Sequence, residues 1–224
     1  MLRIGVLASG TGTNLEALLE GCTAGLIDGR VAVVISDVPG AGALQRAARA
    51  GTPAVLRPSK GVDREAHDRA LLEVLSEYRV DLVCLAGYMR IAGPALLSAF
   101  GPSPATRGCP RIMNIHPGLL PSFPGLHAQR QALAHGARIA GCTVHFVDEG
   151  TDTGPIIVQA AVPVLPDDTE EALARRILAQ EHRIYPQAVR WFAQGRLSLA
   201  GRSVLLLGAR DPVPSLLVNP PLDS

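Results

Sequence analysis

Long apolar runs, paired cysteines and an excess of either charge are missing from this sequence of 224 residues. No apolar run approaches the ~20 residues that a membrane-spanning helix needs, so we expect no membrane association. The net charge is +1 and the pI about 7.8, which gives no electrostatic reason to expect binding to nucleic acid or to an anionic surface. We find no internal repeat, and a strand that begins at Arg3 leaves no room for a signal peptide.

The four cysteines are Cys22, Cys84, Cys109 and Cys142. They are widely spaced and form neither a C-x-x-C pair nor the spacing of a zinc site. We interpret them as reduced thiols, which predicts a cytoplasmic protein without a bound metal.

Apolar strands alternate with helices along the first half of the chain. Residues 3–8, 31–36 and 81–86 are continuous apolar runs, typical of strands that are buried on both faces of a parallel sheet. Helices are predicted at 41–50 and 63–78 from their apolar spacing. This alternation favours right-handed βαβ units, in which ligands bind beyond the carboxyl ends of the strands.

The second half of the chain predicts a different local architecture. Residues 141–147 and 156–164 have strand composition and a short connection, which predicts an antiparallel hairpin. Thr169 is expected to cap a helix that ends or kinks at Pro186. The predicted fold is therefore α/β and Rossmann-like: a mostly parallel twisted sheet with helices on both faces, to which the C-terminal part adds an antiparallel hairpin. We expect one domain over 1–197 and a strand and tail extension over 198–224, poorly ordered at its end.

A glycine-rich turn follows the first strand. Backbone N–H groups at the start of a helix form an anion site, and Gly10 and Gly12 match the beginning of a dinucleotide fingerprint. The third glycine is replaced by Leu15, so a phosphate on a smaller ligand fits better than NAD, although Asp37 could act as the ribose-binding acid. Thr or Asn is expected to cap the helix at this turn.

An amide and an imidazole are placed together where another strand ends. Asn114 and His116 are two residues apart, so they project to the same face of a strand that Pro117 terminates. The amide can donate to an oxyanion, and the imidazole can exchange a proton near neutral pH. Asp152, in a Gly-Thr-Asp-Thr-Gly loop, is the candidate that orients the imidazole and stabilises its protonated form.

Four ordered motifs carry a resemblance to a known family: residues 114–121 (NIHPGLLP), 123–127 (FPGLH), 143–147 (TVHFV) and 152–156 (DTGPI). The chain resembles the folate-dependent formyltransferases from about residue 3 to about residue 197, and among them those that formylate glycinamide ribonucleotide in purine synthesis. The resemblance implies formyl transfer from 10-formyltetrahydrofolate to the amine of that ribonucleotide, without a metal. The family usually has Ser where this chain has Gly118.

The resemblance also implies the site residues. The catalytic residues would be Asn114, His116 and Asp152. The ribonucleotide would contact Gly12, Thr13, Asn14 and Glu181, although an acid on the buried side of a helix more often forms a salt bridge. The folate would contact Arg64, Met89, Arg90, Ile91, Asn114, Asp148, Glu149, Gly150 and Thr151.

Three alternatives remain open from the sequence. A 10-formyltetrahydrofolate hydrolase would use water in place of the amine, but hydrolases of this kind carry an N-terminal regulatory domain. Methionyl-tRNA formyltransferases carry an additional C-terminal nucleic-acid-binding domain, for which about thirty residues leave no room. A non-catalytic ligand-binding module would bind folate without turnover. The sequence does not determine the oligomeric state, and a homodimer is compatible with it.

Overall fold

The computed structural model describes residues 1–209 and the short strand Val218–Asn219. Its elements are, in chain order, β1 Leu2–Leu7, α1 Thr13–Thr23, β2 Gly29–Ser36, α2 Gly42–Arg49, β3 Ala54–Leu56, α3 Arg64–Glu77, β4 Leu82–Leu85, α4 Pro94–Ala99, β5 Ile112–His116, α5 Ala128–Ala134, β6 Ile139–Phe146, β7 Ile156–Pro163, α6 Glu170–Ala193, β8 Leu197–Ala200, β9 Ser203–Leu206 and β10 Val218–Asn219. None of the described helices combines the length and the apolar character needed to cross a membrane.

Eight strands form one sheet in the order β10-β7-β6-β5-β4-β1-β2-β3. The five strands from β5 to β3 in this order are parallel, and β6, β7 and β10 pair antiparallel beside them. Strands β8 and β9 form a separate antiparallel hairpin. The predicted Rossmann-like fold is therefore confirmed, including the antiparallel hairpin of β6 and β7.

Helices cover both faces of the sheet. On one face, Ile4 and Val6 of β1 belong to an apolar cluster with residues of α1, α2, α5 and α6. On the other face, Leu7 packs in a second cluster with residues of α3 and α4, among them Leu71 and Leu96. Because both faces are covered, β1, β2 and β4 favour apolar side chains on both sides, which explains their continuous apolar runs.

The carboxyl ends of β1, β4 and β5 lie side by side. Leu7 pairs with Leu85, and Leu85 pairs with Asn114, so the turns that follow these strands leave the sheet at one edge. The turns also contact each other directly, because the Ser9 N–H donates to the Gly87 carbonyl at 3.0 Å. The glycine-rich turn after β1 and the end of β5 therefore lie at the same edge of the sheet, where ligands of parallel sheets bind.

Two local predictions about helices were wrong. The N-cap of α1 is Gly12 in a left-handed conformation with φ of +80°, and no side chain caps the helix, because the Asn14 amide reaches a different helix. Pro186 does not end α6, which continues to Ala193, so the expectation that the helix ends there was wrong. A proline inside a helix costs ~3 kcal/mol, but Trp191 is fully buried one turn later and its packing offsets that loss.

The other boundaries agree with the sequence in outline. Thr169 caps α6 by accepting the Ala172 N–H at 3.2 Å, and Asp63 caps α3 by accepting the Ala66 N–H at 3.0 Å. The short elements β3, α4 and α5 were not predicted. In the region of the expected extension over 198–224 the structure has the strands β8 and β9. The expected disorder of its end concerns residues 210–217 and 220–224, which lie outside the described part of the chain.

Candidate active site

Three predicted catalytic side chains meet at the end of β5. His116 Nδ1 lies 3.2 Å from Asp152 Oδ2, and Asn114 Nδ2 donates to Asp152 Oδ1 at 3.4 Å. The two β5 residues point the same way because side chains alternate along a strand, and Asp152 reaches them from the loop between β6 and β7. The site is enclosed, since the side chains of His116 and Asp152 are 4% and 13% exposed.

The segment after β5 folds back over this cluster. The Phe123 carbonyl accepts a hydrogen bond from His116 Nε2 at 2.9 Å, and the Gly125 N–H donates to Asp152 Oδ2 at 2.8 Å. Asp152 itself has φ of +55°, a left-handed conformation that Asp tolerates better than most residues. Both ring nitrogens of His116 therefore face oxygen acceptors, so the site accommodates a proton on either nitrogen.

A second histidine completes the cluster, and sequence reasoning missed it. His145 pairs with Asn114 across β5 and β6. Its Nδ1 donates to the Phe146 carbonyl at 2.8 Å, which leaves Nε2 to accept from Asn114 Nδ2 at 3.1 Å. His145 Nε2 is also 3.6 Å from Asp152 Oδ1. The signal that could have found it is the hairpin register, because cross-strand neighbours of a site residue lie within contact distance.

Burial and hydrogen bonding set the protonation states of His116 and Asp152. Burial lowers the pKa of His116 below its ordinary value of 6.5, although the Asp152 carboxylate and the Phe123 carbonyl both act to raise it. Burial alone would raise the pKa of Asp152, but the neighbouring His145 imidazole, the hydrogen bond from the Gly125 N–H and the His116 imidazole hold it below its ordinary value. At neutral pH the resting state is thus a neutral imidazole beside a carboxylate.

Gly118 lies against the imidazole. A Cβ at this position would be 2.8 Å from His116 Nε2 and 3.3 Å from the Ala128 Cβ. The Gly118 carbonyl accepts a hydrogen bond from the Thr143 hydroxyl at 2.7 Å, which holds the backbone here against β6. The missing side chain at 118 therefore allows His116 to lie where it reaches the Phe123 carbonyl.

The residues predicted to bind the ribonucleotide are brought together by α1 and α6. Gly12 and Thr13 begin α1, and Asn14 Nδ2 donates to Glu181 Oε2 at 2.6 Å. Glu181 is 6% exposed and forms no ion pair in the described part of the chain, so the more common salt-bridge interpretation was wrong. Burial raises its pKa, against the effect of the Asn14 amide. Asn14 Oδ1 is buried without a hydrogen-bond partner.

The residues predicted to bind folate surround the same edge. Met89 and Ile91, after β4, are 61% and 44% exposed, whereas the Arg90 guanidinium is bonded to the carbonyls of Ser59 and Val62. The loop between β6 and β7 holds the exposed residues Glu149, Gly150 and Thr151 beside the half-buried Asp148. Arg64 is exposed at the first turn of α3.

An amide, a buried neutral imidazole and a carboxylate in contact suit acyl transfer, and comparison with known proteins agrees. The chain belongs to the formyl transferase family, whose model matches residues 2–189. Membership of this family implies a folate-derived formyl donor and small-molecule substrates.

Individual members of the family are similar to this chain over most of its length. The chain is 42% identical over 212 residues to the phosphoribosylglycinamide formyltransferase of Escherichia coli, a match that covers 94% of this chain and 96% of that protein. It is 48% identical over 196 residues to the trifunctional purine biosynthetic protein adenosine-3 of Drosophila melanogaster, covering 86% of this chain but 14% of the fly protein. The crystal structure of glycinamide ribonucleotide transformylase 1 from Symbiobacterium toebii superposes with a TM-score of 0.87 at 60% identity, covering 92% of this chain and 94% of that one.

Proposed function

We propose that this protein is a phosphoribosylglycinamide formyltransferase, which transfers a formyl group from 10-formyltetrahydrofolate to the amine of glycinamide ribonucleotide. The observation that carries the proposal is the cluster of Asn114, His116 and Asp152, enclosed at the edge of the sheet where the N-terminus of α1 also lies. The full-length similarity to transferases from two bacteria supports the choice of substrates.

The side chains suit each step of direct transfer. The substrate amine attacks the formyl carbon, a C–N bond forms, and the carbonyl electron pair moves to oxygen. Asn114 donates to that oxyanion, and its long 3.4 Å contact with Asp152 is the bond most easily exchanged for the new one. A donor of this kind is typically worth about 3–4 kcal/mol.

Proton transfer falls to His116. In the neutral tautomer with its proton on Nδ1, toward Asp152 Oδ2 at 3.2 Å, Nε2 exchanges the Phe123 carbonyl for the attacking amine and accepts the proton that the amine loses. The Asp152 carboxylate stabilises the imidazolium that forms. The proton then passes to N10 of the folate as the C–N10 bond breaks, which leaves tetrahydrofolate and the formylated amine. His145 holds the Asn114 amide at 3.1 Å and thereby fixes the direction in which it donates.

The proposed binding site for the ribonucleotide is formed by the start of α1 together with Asn14 and Glu181. The N–H groups at Gly12 and Thr13 suit the ribonucleotide phosphate. The unpartnered Asn14 Oδ1 and the Glu181 carboxylate are acceptors that ribose hydroxyls can satisfy.

A separate set of protein residues suits the binding of the formyl donor. The exposed apolar side chains of Met89 and Ile91 suit the pterin ring, together with the backbone at Arg90 and the loop 148–151. Arg64 suits the negatively charged tail of the folate.

The organisation of the chain is part of the proposal. Residues 1–197 would form the catalytic domain and 198–224 an extension, in which Arg202 donates to the Thr153 carbonyl beside the active-site loop. Cytoplasmic location, a metal-free reaction and the absence of nucleic-acid and membrane partners stay predictions. A homodimer remains compatible with the chain.

The hydrolase alternative is less supported, because the relatives from Escherichia coli and Symbiobacterium toebii described above are a formyltransferase and a transformylase by name. The experiment that separates the two is the rate of 10-formyltetrahydrofolate consumption with and without glycinamide ribonucleotide. We expect consumption to depend on the ribonucleotide. Equal rates in both conditions would replace the proposal by the hydrolase.

A further inference from the structure

A buried carboxylate lies beside the turn that follows β4. Asp37 comes directly after β2, is 8% exposed and accepts two short hydrogen bonds. The Ser9 hydroxyl donates to its Oδ1 at 2.6 Å, and the Ser59 hydroxyl donates to its Oδ2 at 2.7 Å. A carboxylate that loses its hydration needs such donors in compensation. Both oxygens of Asp37 are thus committed to neighbouring loops, so the residue is not the ribose-binding acid that its sequence position suggested.

The two serines connect Asp37 to the turn itself. The Met89 N–H donates to Ser9 Oγ at 3.0 Å, and Arg90 Nη1 donates to the Ser59 carbonyl at 2.5 Å. The hydrogen bonds therefore form a closed ring from Met89 through Ser9, Asp37 and Ser59 to Arg90, which is the next residue along the chain from Met89. A buried polar network whose members are all satisfied holds one geometry.

Residues of the turn alternate between anchored and exposed. Tyr88 is 9% exposed, and its hydroxyl lies 2.6 Å from His67 Nε2. Met89 and Ile91, which flank Arg90, are the exposed apolar residues of the turn. Burial alternates along residues 88–91, so the contacts of Tyr88 and Arg90 hold the inner side of the segment while Met89 and Ile91 lie on its exposed side. The ring thus holds in place the two apolar side chains that the proposed function assigns to the formyl donor.

We infer that Asp37 is a positioning residue for the formyl donor: through Ser9 and Ser59 it fixes the segment 88–91, against which the pterin ring binds. The inference rests on the proposed function and adds a residue that touches neither substrate. The turn from Ser9 to Gly12 keeps its own backbone hydrogen bonds, from the Ser9 N–H to Gly87 and from the Ala43 N–H to Gly10. Loss of the ring therefore affects affinity for the folate and spares affinity for the ribonucleotide.

The test is a pair of variants measured with a non-reactive 10-substituted folate analogue. Asp37→Ala removes both acceptors, and we expect the Kd for the analogue to rise roughly tenfold, as for the loss of hydrogen bonds to a charged group. The KM for the ribonucleotide should stay within about twofold, with kcat at saturating donor near wild type. Asp37→Asn retains one acceptor oxygen and should recover part of the affinity.

Ser59→Ala is the milder second variant. It removes one hydroxyl and leaves the Ser59 carbonyl in place for Arg90. We expect a rise of about threefold in the analogue Kd. If Asp37→Ala does not fold, the analogue Kd of Ser59→Ala alone tests the inference.

Asp168→Ala is the matched control, because Asp168 also has both oxygens bonded, to Arg176 at 2.7 and 2.8 Å, but lies in the turn before α6. It should lower stability without changing analogue affinity. Wild-type affinity in both Asp37→Ala and Ser59→Ala, or a parallel fall in affinity for both substrates, would overturn the inference. Failure of the proposed function is distinguishable, because the wild type itself would then transfer no formyl group to the ribonucleotide.

Discussion

Gly12 offers a perturbation whose size can be worked out from the structure. Its φ of +80° is left-handed, and a Cβ there would lie 2.6 Å from the Ala43 Cα and 3.1 Å from the Ala43 backbone N. The nearest clashing atom belongs to the backbone of α2, which cannot move aside by a change of rotamer as a side chain could. Gly12→Ala must therefore separate the start of α1 from α2, and the start of α1 is where the ribonucleotide phosphate is proposed to bind.

Two costs add in this variant. An alanine in the left-handed region costs roughly 1–2 kcal/mol, and forcing an extra carbon into a packed contact typically costs about 1–3 kcal/mol. Gly25→Ala is the matched control, because Gly25 has φ of +73° but nothing within 4 Å of a Cβ. Gly25→Ala should thus lose only the roughly 1–2 kcal/mol of stability that the left-handed conformation costs. The difference in stability between the two variants therefore isolates the contact with α2.

The assays are denaturant unfolding and steady-state kinetics. We expect Gly12→Ala to be less stable than Gly25→Ala by about 1–3 kcal/mol. The KM for glycinamide ribonucleotide should rise about tenfold, which corresponds to ~1.4 kcal/mol, while the Kd for a folate analogue stays within a few-fold. The larger residue in Gly12→Val should raise this KM more steeply and destabilise further. Equal stability of the two alanine variants, with an unchanged KM in Gly12→Ala, would refute the reasoning.

Four further predictions concern the catalytic cluster. His116→Ala should lower kcat strongly while the protein stays folded, and near-normal kcat in well-expressed protein would remove the histidine from the mechanism. Wild-type kcat should fall on the acid side at a pH below 6.5, because burial lowers the pKa of His116 and the neutral imidazole is the base. In Asp152→Asn kcat should fall and this acid limb should move to still lower pH, because the variant lacks the carboxylate that in the wild type raises the pKa of His116. An effect confined to the KM for folate would make Asp152 a binding residue. Gly118→Ala should lower kcat more than it raises either KM, because the new Cβ would meet His116 Nε2 at 2.8 Å and displace the ring, and unchanged kinetics would show that the ring adjusts without loss.

The parts of the fold that depend on local pattern could be predicted. The apolar runs of β1, β2 and β4 and the cap at Thr169 are short-range signals, and the structure places them where expected. The placement of Asn114 and His116 on one face needs only strand alternation and the position of Pro117. These inferences succeeded because each depends on residues a few positions apart.

The features that could not be predicted depend on contacts between residues that are distant in the chain. Asn14 reaches Glu181 across 167 positions, which sequence spacing alone does not reveal. His145 joins the site through the register of β5 and β6, and Asp37 connects to the turn after β4 through two hydroxyl groups. Pro186 was expected to break α6 because local propensity ignores the packing of Trp191.

The destination of the formyl group tests the central claim most directly. The measurement is incubation of the protein with glycinamide ribonucleotide and 10-formyltetrahydrofolate carrying an isotopic label in the formyl carbon, followed by separation of the products. The account predicts that the label appears on the ribonucleotide amine in an amount equal to the tetrahydrofolate formed. Label recovered as free formate, with the ribonucleotide unchanged, would contradict it.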